Sequence, residues 1–302
     1  MKNKLPNFLI VGAAKSGTSS LHHYLNQHPE VFMPSYNKEG MKVKEPRFLI
    51  RELVQHRLHN GVWDFEGYQS LFSYVKNERA IGEASALYLY YYEHAIKKIQ
   101  YYLDQEVKII IILRNPTDRA YSAFQHVSRG LKENHSFEHS LAIERGRLER
   151  EENLTPMVMY KQMGLYYNMV KAYKDSFKNV HIVFYEDFRD NIEIEMDKIY
   201  NFLQISKNSK VNLNLKYNVG GKRWKSETIK HLFMKDNLIR SILKWVIPKK
   251  FKKRIREKLV KISTNKVLPI KAETRKMLND YFKEDVKQLS ELLNKDLQHW
   301  IN

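Results

Sequence analysis

Gly12-Ala13-Ala14-Lys15-Ser16-Gly17-Thr18-Ser19 brings two glycines, a lysine and three hydroxyl side chains together, directly behind the apolar run Phe8-Leu9-Ile10-Val11. Between a strand and a helix, such a turn offers one anion its backbone N–H groups, the positive end of a helix and an ammonium group, and phosphate is the ligand expected there. A glycine turn carrying a surface lysine is the plainer alternative. The combined composition argues against it.

A second group follows the run Val107-Lys-Ile-Ile-Ile-Ile-Leu113. It reads Arg114-Asn115-Pro116-Thr117-Asp118-Arg119-Ala120-Tyr121-Ser122, with His126 a turn further on. Asn115 suits an N-cap and Pro116 a first helical residue, so a helix should begin where the strand ends. Arg119, Ser122 and His126, at i, i+3 and i+7, then share a helix face. With Arg114 at the strand tip, guanidinium and hydroxyl groups converge on a second phosphate, near the crevice where open α/β sheets bind ligands. Taken singly, Arg114 reads as a surface ion pair and His126 as a partly buried imidazole. Two phosphate sites imply a ligand phosphorylated at both ends.

The nucleoside-triphosphatase loop G-x-x-x-x-G-K-[ST] has the same glycine spacing, but here Thr18 occupies its lysine position and the lysine lies inside the loop at Lys15. An ammonium projecting from mid-loop suits a shorter phospho-group than a triphosphate. A P-loop kinase or phosphotransferase is therefore the disfavoured alternative. A non-catalytic basic module that binds nucleic acid or membrane is a third.

Short β-rich runs alternating with helical patterns predict an α/β fold, a parallel sheet flanked by helices. The expected strands are 8–11, 79–82, 107–113 and 180–184, and the four successive isoleucines of the third suit burial on both faces. A helix is expected from near Thr18 to before His28-Pro29. Another, over 273–293, carries Met277, Leu278, Tyr281, Phe282, Val286, Leu289, Leu292 and Leu293 at helical spacing as its core face. With no repeat or linker visible, residues 1–302 read as one domain.

Across 302 residues, 43% are hydrophobic and 28% charged, which excludes disordered and fibrous classes. Cysteine is absent, which excludes disulfides, thiolate zinc sites and a cysteine nucleophile. The net charge of +18 is concentrated in residues 207–276, where 22 Lys and Arg face 4 Asp and Glu. The densest part, Lys249 to Lys258, follows the apolar Ile242, Leu243, Trp245, Val246 and Ile247. A solvated helix face is the plain reading, and a surface for an acidic glycan or anionic lipid headgroups is the functional one. Nucleic acid is not expected, since the segment holds no recognisable nucleic-acid-binding pattern. No apolar run reaches membrane-spanning length, and the stretch after Lys2 and Lys4 is too short for a signal peptide. A cytoplasmic location is the expectation, peripheral to the inner face of the membrane if the basic segment docks there.

Together, Phe8 to Leu21 and Ile112 to Ser122 resemble the 5′-phosphosulfate loop and the 3′-phosphate motif of sulfotransferases that use 3′-phosphoadenosine 5′-phosphosulfate (PAPS). The branch they resemble is that of the bacterial and heparan sulfate enzymes. Lys44-Glu45-Pro46-Arg47-Phe48, Gly82-Glu-Ala-Ser-Ala-Leu-Tyr88, Tyr185-Glu-Asp-Phe188 and a C-terminal helix ending in Trp300 extend the likeness, with Ala86 where the pattern has proline. The resemblance implies a P-loop NTPase-like sulfotransferase fold, PAPS as donor, adenosine 3′,5′-bisphosphate (PAP) as product and no metal. A hydroxyl, less favourably an amine, of a carbohydrate or lipid-linked glycan would be the acceptor. Carried over, Lys15 contacts the sulfuryl group and 5′-phosphate, with Ser16, Gly17, Thr18 and Ser19 as loop donors. Arg114 and Ser122 hold the 3′-phosphate, Glu45 is the base and His126 its rival. Gly221, Lys222 and Arg223 belong to a loop that closes over the nucleotide. Trp63, Tyr68 and Tyr88 are candidate sugar platforms, with core packing as the alternative.

Overall fold

Five β-rich runs become one parallel sheet in the computed structural model of the chain, which describes residues 4–37, 39–130, 133–207, 211–214, 222–226 and 263–302. The strands are β1 (Phe8–Gly12), β2 (Val31–Phe32), β3 (Ala80–Ala84), β4 (Lys108–Leu113) and β5 (Val180–Phe184), in the order β2-β3-β1-β4-β5. A two-stranded antiparallel pair, β6 (Lys222–Trp224) and β7 (Thr264–Lys266), stands apart from it.

Helices α1 (Thr18–Leu25), α2 (Arg51–Val54), α3 (Phe65–Ser70), α4 (Tyr92–Tyr102), α5 (Pro116–Ser128) and α6 (Phe137–Ala142) lie in the first half of the chain. They are followed by α7 (Arg147–Arg150), α8 (Tyr167–Ser176), α9 (Tyr185–Asp190), α10 (Ile192–Leu203) and α11 (Ala272–Leu293).

The isoleucine run shows why the sheet needs helices on both faces. Ile109, Ile111 and Leu113 join Leu9 and Val11 in one core, whereas Ile110 and Ile112 join Phe8 and Ile10 in the other. Alternating side chains of a central strand thus feed opposite layers, and both layers must be apolar. Gly82 lets β3 lie against β1, because a Cβ there would come within 2.0 Å of the Phe8 ring. From β1 the chain moves to β2 and β3 on one side, then crosses to β4 and β5 on the other. That reversal opens a crevice at the carboxyl ends of β1 and β4.

The strands expected at 8–11, 107–113 and 180–184 lie within one residue of those observed, and the run at 79–82 pairs over Ala80–Ala84. Edge strand β2 has two residues, too few to show a period of two. Helix α11 covers the predicted stretch, but its buried stripe is narrower: Leu278, Phe282, Val286 and Leu289 are buried, while Met277 and Tyr281 are each 44% exposed. The helix stops at Leu293, where Asn294 turns left-handed, so Trp300 sits on a separate 3-10 turn and not at the helix end. Gly221, Ile242–Ile247 and Lys249–Lys258 lie outside the described residues. No described helix is long and apolar enough to cross a membrane.

Candidate active site

The loop after β1 is shaped by left-handed residues at Lys15 (φ 74°) and Gly17 (φ 97°). Such a conformation is uncommon for a lysine and is found mainly where surrounding contacts hold it. The Ala13 N–H donates to the Ile112 carbonyl at 2.7 Å, which ties the loop to β4, and the Ser16 N–H donates to the Ala13 carbonyl at 3.2 Å, which closes the turn on itself. Gly17 is the N-cap of α1 and supplies no side-chain cap, so the first amides of the helix are left for a ligand. Ser16 is fully buried, and its Oγ has no hydrogen-bond partner among the described residues. A buried hydroxyl of this kind fits a site built for an oxyanion.

Arg114 reaches this loop from the tip of β4. Its Nη1 donates to the Lys15 carbonyl at 3.2 Å, and its guanidinium lies 4.6 Å from the centre of the Tyr185 ring at the end of β5. Tyr185 also closes over the loop, since a Cβ on Gly17 would meet its ring at 3.2 Å. The two motifs that the sequence offers as candidate anion sites are thereby brought into direct contact.

Burial, then the charges of Arg129 and Arg114, lower the Lys15 ammonium from its ordinary 10.5 to about 8. Lys44 adds to the repulsion, and among these neighbours Glu45 alone opposes it. The ammonium is protonated at neutral pH and loses its charge as pH rises through about 8. A reaction that needs it should accordingly show kcat/KM for the donor flat between about pH 6 and 7.5 and falling on the alkaline side, a limb that Lys15→Arg moves upward. Initial rates at subsaturating donor measure this.

Glu45 stands on the segment opposite the loop. Lys44 Nζ donates to Ser19 Oγ at 2.8 Å and to Glu45 Oε1 at 3.1 Å, while Arg47 Nη2 donates to Glu45 Oε2 at 3.1 Å. The loop carboxylate is thus paired with both flanking cations. Burial alone would raise its pKa, but Lys44 and Arg47 outweigh that and hold it below the ordinary carboxylate value. It is ionised at neutral pH. A cleft of about 340 Å³ runs along this segment, lined by Lys42, Lys44, Glu45, Arg47, His59 and Asn60 among others.

The helical face expected of α5 grades from core to surface. Arg119 is fully buried and donates from Nη2 to the Tyr160 carbonyl, Ser122 is half-buried, and His126 is exposed. Arg119 therefore belongs to the interior packing under the helix and not to the crevice. His126 Nδ1 takes an N–H from Arg129 at 3.3 Å, so the ring proton resides on Nε2. Although the residue keeps an exposed face, desolvation of the ring on its inner side, then Lys15 and Arg129, lower its pKa to about 4, leaving a neutral imidazole that donates from Nε2.

Tyr68 and Tyr88 are fully buried and cannot stack on a sugar, which corrects their reading as platforms. Trp63 is half-buried and its indole packs on Gly61 beside the cleft. The side chains of Lys222 and Arg223, and all of Gly221, lie outside the description.

Three contributors escaped the sequence reading. Arg129 lies beyond the second motif, and Tyr185 belongs to a segment quoted above only as part of a pattern. His22 is buried on α1, donates from Nε2 to the Pro34 carbonyl at 3.3 Å, and is held at a pKa of about 4 by burial and then by Lys44. Its adjacency to the loop in sequence was the available signal.

A crystal structure of a sulfotransferase from Alicyclobacillus acidocaldarius is similar over 99% of this chain and 100% of that one, with a TM-score of 0.72 and 27% identity. The membrane-associated sulfotransferase kil1 of Dictyostelium discoideum is 29% identical over 151 residues, 48% of this chain and 29% of that protein. Human bifunctional heparan sulfate N-deacetylase/N-sulfotransferase 2 is 32% identical over 130 residues, 41% of this chain and 13% of that protein. The alignments thus cover less than a third of either relative. A family profile described as a sulfotransferase domain matches residues 5–259, and with it the loop, the Arg114 motif and the Glu45 arm, so the chain belongs to the sulfotransferase-domain family.

Proposed function

We propose that the protein transfers a sulfuryl group from PAPS to a hydroxyl, less readily an amine, of a carbohydrate or lipid-linked glycan. The carrying observation is the half-buried Lys15 ammonium on a loop that Arg114 touches, lowered to about 8 by desolvation and by Arg129, Arg114 and Lys44. Three cations crowded round a fourth are unfavourable until a multiply charged anion arrives. The Ser16 hydroxyl, without a hydrogen-bond partner among the described residues, and the first turn of α1, without a side-chain cap, supply donors of the kind a phosphosulfate needs.

PAPS supplies the sulfuryl group and a bisphosphorylated leaving group. Lys15, Ser16, Gly17, Thr18 and Ser19 grip its 5′ end, and Lys15 offsets charge that builds there as the bond breaks. Arg114 and Ser122 hold the 3′-phosphate, with Tyr185 backing the guanidinium. Glu45, ionised and bordering the cleft, accepts the proton of the attacking acceptor oxygen. His126 is neutral with its proton on Nε2, so it orients by donating and does not serve as the base. Gly221, Lys222 and Arg223 are assigned to the segment that closes over the nucleotide, with Lys222 and Arg223 on strand β6 and not in a loop, and the basic segment 207–276 to an acidic glycan or an anionic membrane surface. The carbohydrate assignment draws on the relative named for heparan sulfate, and the membrane assignment on the relative named as membrane-associated.

Thermal-shift titration tests the donor: PAP without Mg²⁺ should raise Tm. Stabilisation by Mg·ATP and not by PAP would replace this reading with a phosphotransferase. Arg114→Ala should weaken PAP about 10- to 100-fold, with kcat at saturating donor changed by less than about threefold. Labelled PAPS incubated with a panel of glycans and lipid-linked oligosaccharides identifies the acceptor.

A further inference from the structure

Glu83, at the end of β3, is fully buried and far from the nucleotide loop in sequence. It accepts from Tyr68 Oη on one carboxyl oxygen and from Ser85 Oγ on the other, each at 2.6 Å. Because Ser85 spends its proton on Glu83, its lone pairs face elsewhere, and they accept the backbone N–H of Arg47 at 3.0 Å. Tyr88, three residues on, accepts the backbone N–H of Leu49 at 3.2 Å. The four polar residues Tyr68, Glu83, Ser85 and Tyr88 thus hold two consecutive alternate amides of the segment that carries Glu45.

That segment needs holding. Arg47 is left-handed, at φ 57°, directly after a proline. The Pro46 carbonyl is bound by the Val62 N–H at 2.8 Å, and the Arg47 guanidinium donates to the Asn60 carbonyl. A non-glycine residue in this conformation persists where its surroundings over-determine it. Here Ser85 and Tyr88, just after β3, add their bonds to those from Asn60 and Val62, and the side chain whose position they fix, two residues before Arg47, is Glu45.

We infer that Glu83, acting through Ser85 with Tyr68 and Tyr88, is a positioning residue that locks the Glu45 arm over the reaction crevice. The inference rests on Glu45 serving as the base, as proposed above. Full burial of the network, anchored on β3 through Glu83, makes the arm part of the scaffold rather than a loose surface loop, so the carboxylate is preorganised before the acceptor arrives.

Hydrogen–deuterium exchange on the 302-residue chain tests the lock without any acceptor. In Ser85→Ala the amides of residues 47–50 should exchange at least about tenfold faster, while residues 12–17 keep their protection and PAP affinity stays within about twofold. Ser85→Thr, which keeps the hydroxyl, should restore the slow exchange. Unchanged exchange at 47–50 overturns the inference, as does loosening that spreads equally to the nucleotide loop. Should Ser85→Ala not accumulate as folded protein, Tyr88→Phe, which frees the Leu49 amide and leaves the Arg47 amide on Ser85, must loosen the same segment to a smaller degree or the idea fails.

Activity then separates the two proposals, with heparosan as the probe acceptor and PAP release as the readout. Ser85→Ala should lower kcat with little change in KM for PAPS, and should add less than about twofold to Glu45→Gln in the double variant. Additive losses refute positioning through Glu45. Wild-type kcat in Glu45→Gln would instead remove Glu45 as the base, while the exchange result still decides whether β3 holds the arm.

Discussion

Lys15→Ala is expected to lower kcat/KM for PAPS by about a thousandfold or more. Removing one preorganised donor to a developing charge commonly costs about 10²- to 10³-fold, and Lys15 combines that role with a full positive charge in a desolvated site. The same variant should be no less stable without nucleotide, and more stable near pH 7. The reason lies in linkage. The folded-state value of about 8 is below the unfolded 10.5, so the folded protein binds this proton less tightly. The penalty is fully present below about pH 8 and fades as pH rises toward 10.5. Alanine removes it. Loss of activity together with an unchanged or raised Tm separates this outcome from simple unfolding, and near-normal turnover in the variant would discard the assigned role.

Glu45→Gln should reduce kcat by about 10²- to 10⁴-fold, the range of general-base catalysis, with PAP affinity nearly unchanged. The replacement keeps the shape and loses the charge. By contrast His126→Ala should cost less than about tenfold, because an imidazole whose Nδ1 is occupied by Arg129 and whose Nε2 already carries the proton has no free lone pair for the acceptor. The acid side of the pH profile offers a second check. Lys44 and Arg47 hold the Glu45 carboxyl below its ordinary value and the His126 ring sits near 4, so no acidic limb is expected around pH 6 to 7. If the His126 variant proves the more damaged, or a limb appears near 6.5, the imidazole is the base.

Local chemistry made the two candidate anion-binding motifs legible. The strand-turn-helix around Lys15 and the Asn115-Pro116 helix start are set by residues within a few positions of one another, and both appear where the sequence puts them. The run of isoleucines likewise announced a strand buried on two faces. Helical spacing placed Arg119, Ser122 and His126 on a common stripe, but could not tell that the stripe passes from core to solvent along its length. For the same reason Met277 and Tyr281 share the periodicity of α11 without sharing its burial.

What the chain by itself determined, then, is where strands end and helices begin, and which residue types stand at those junctions. Burial depends on what lies across the gap, and only the folded sheet decided that Arg114 would touch the Lys15 carbonyl and that Tyr185 would close beneath it. The fold also decided that Lys44 would reach Ser19 and that Glu83 would anchor the backbone of the Glu45 arm through Ser85. Spacing of this kind spans tens of residues, and no period carries across such distances. The depressed lysine is a product of that convergence, because its charge is made costly by partners that the sequence keeps far apart.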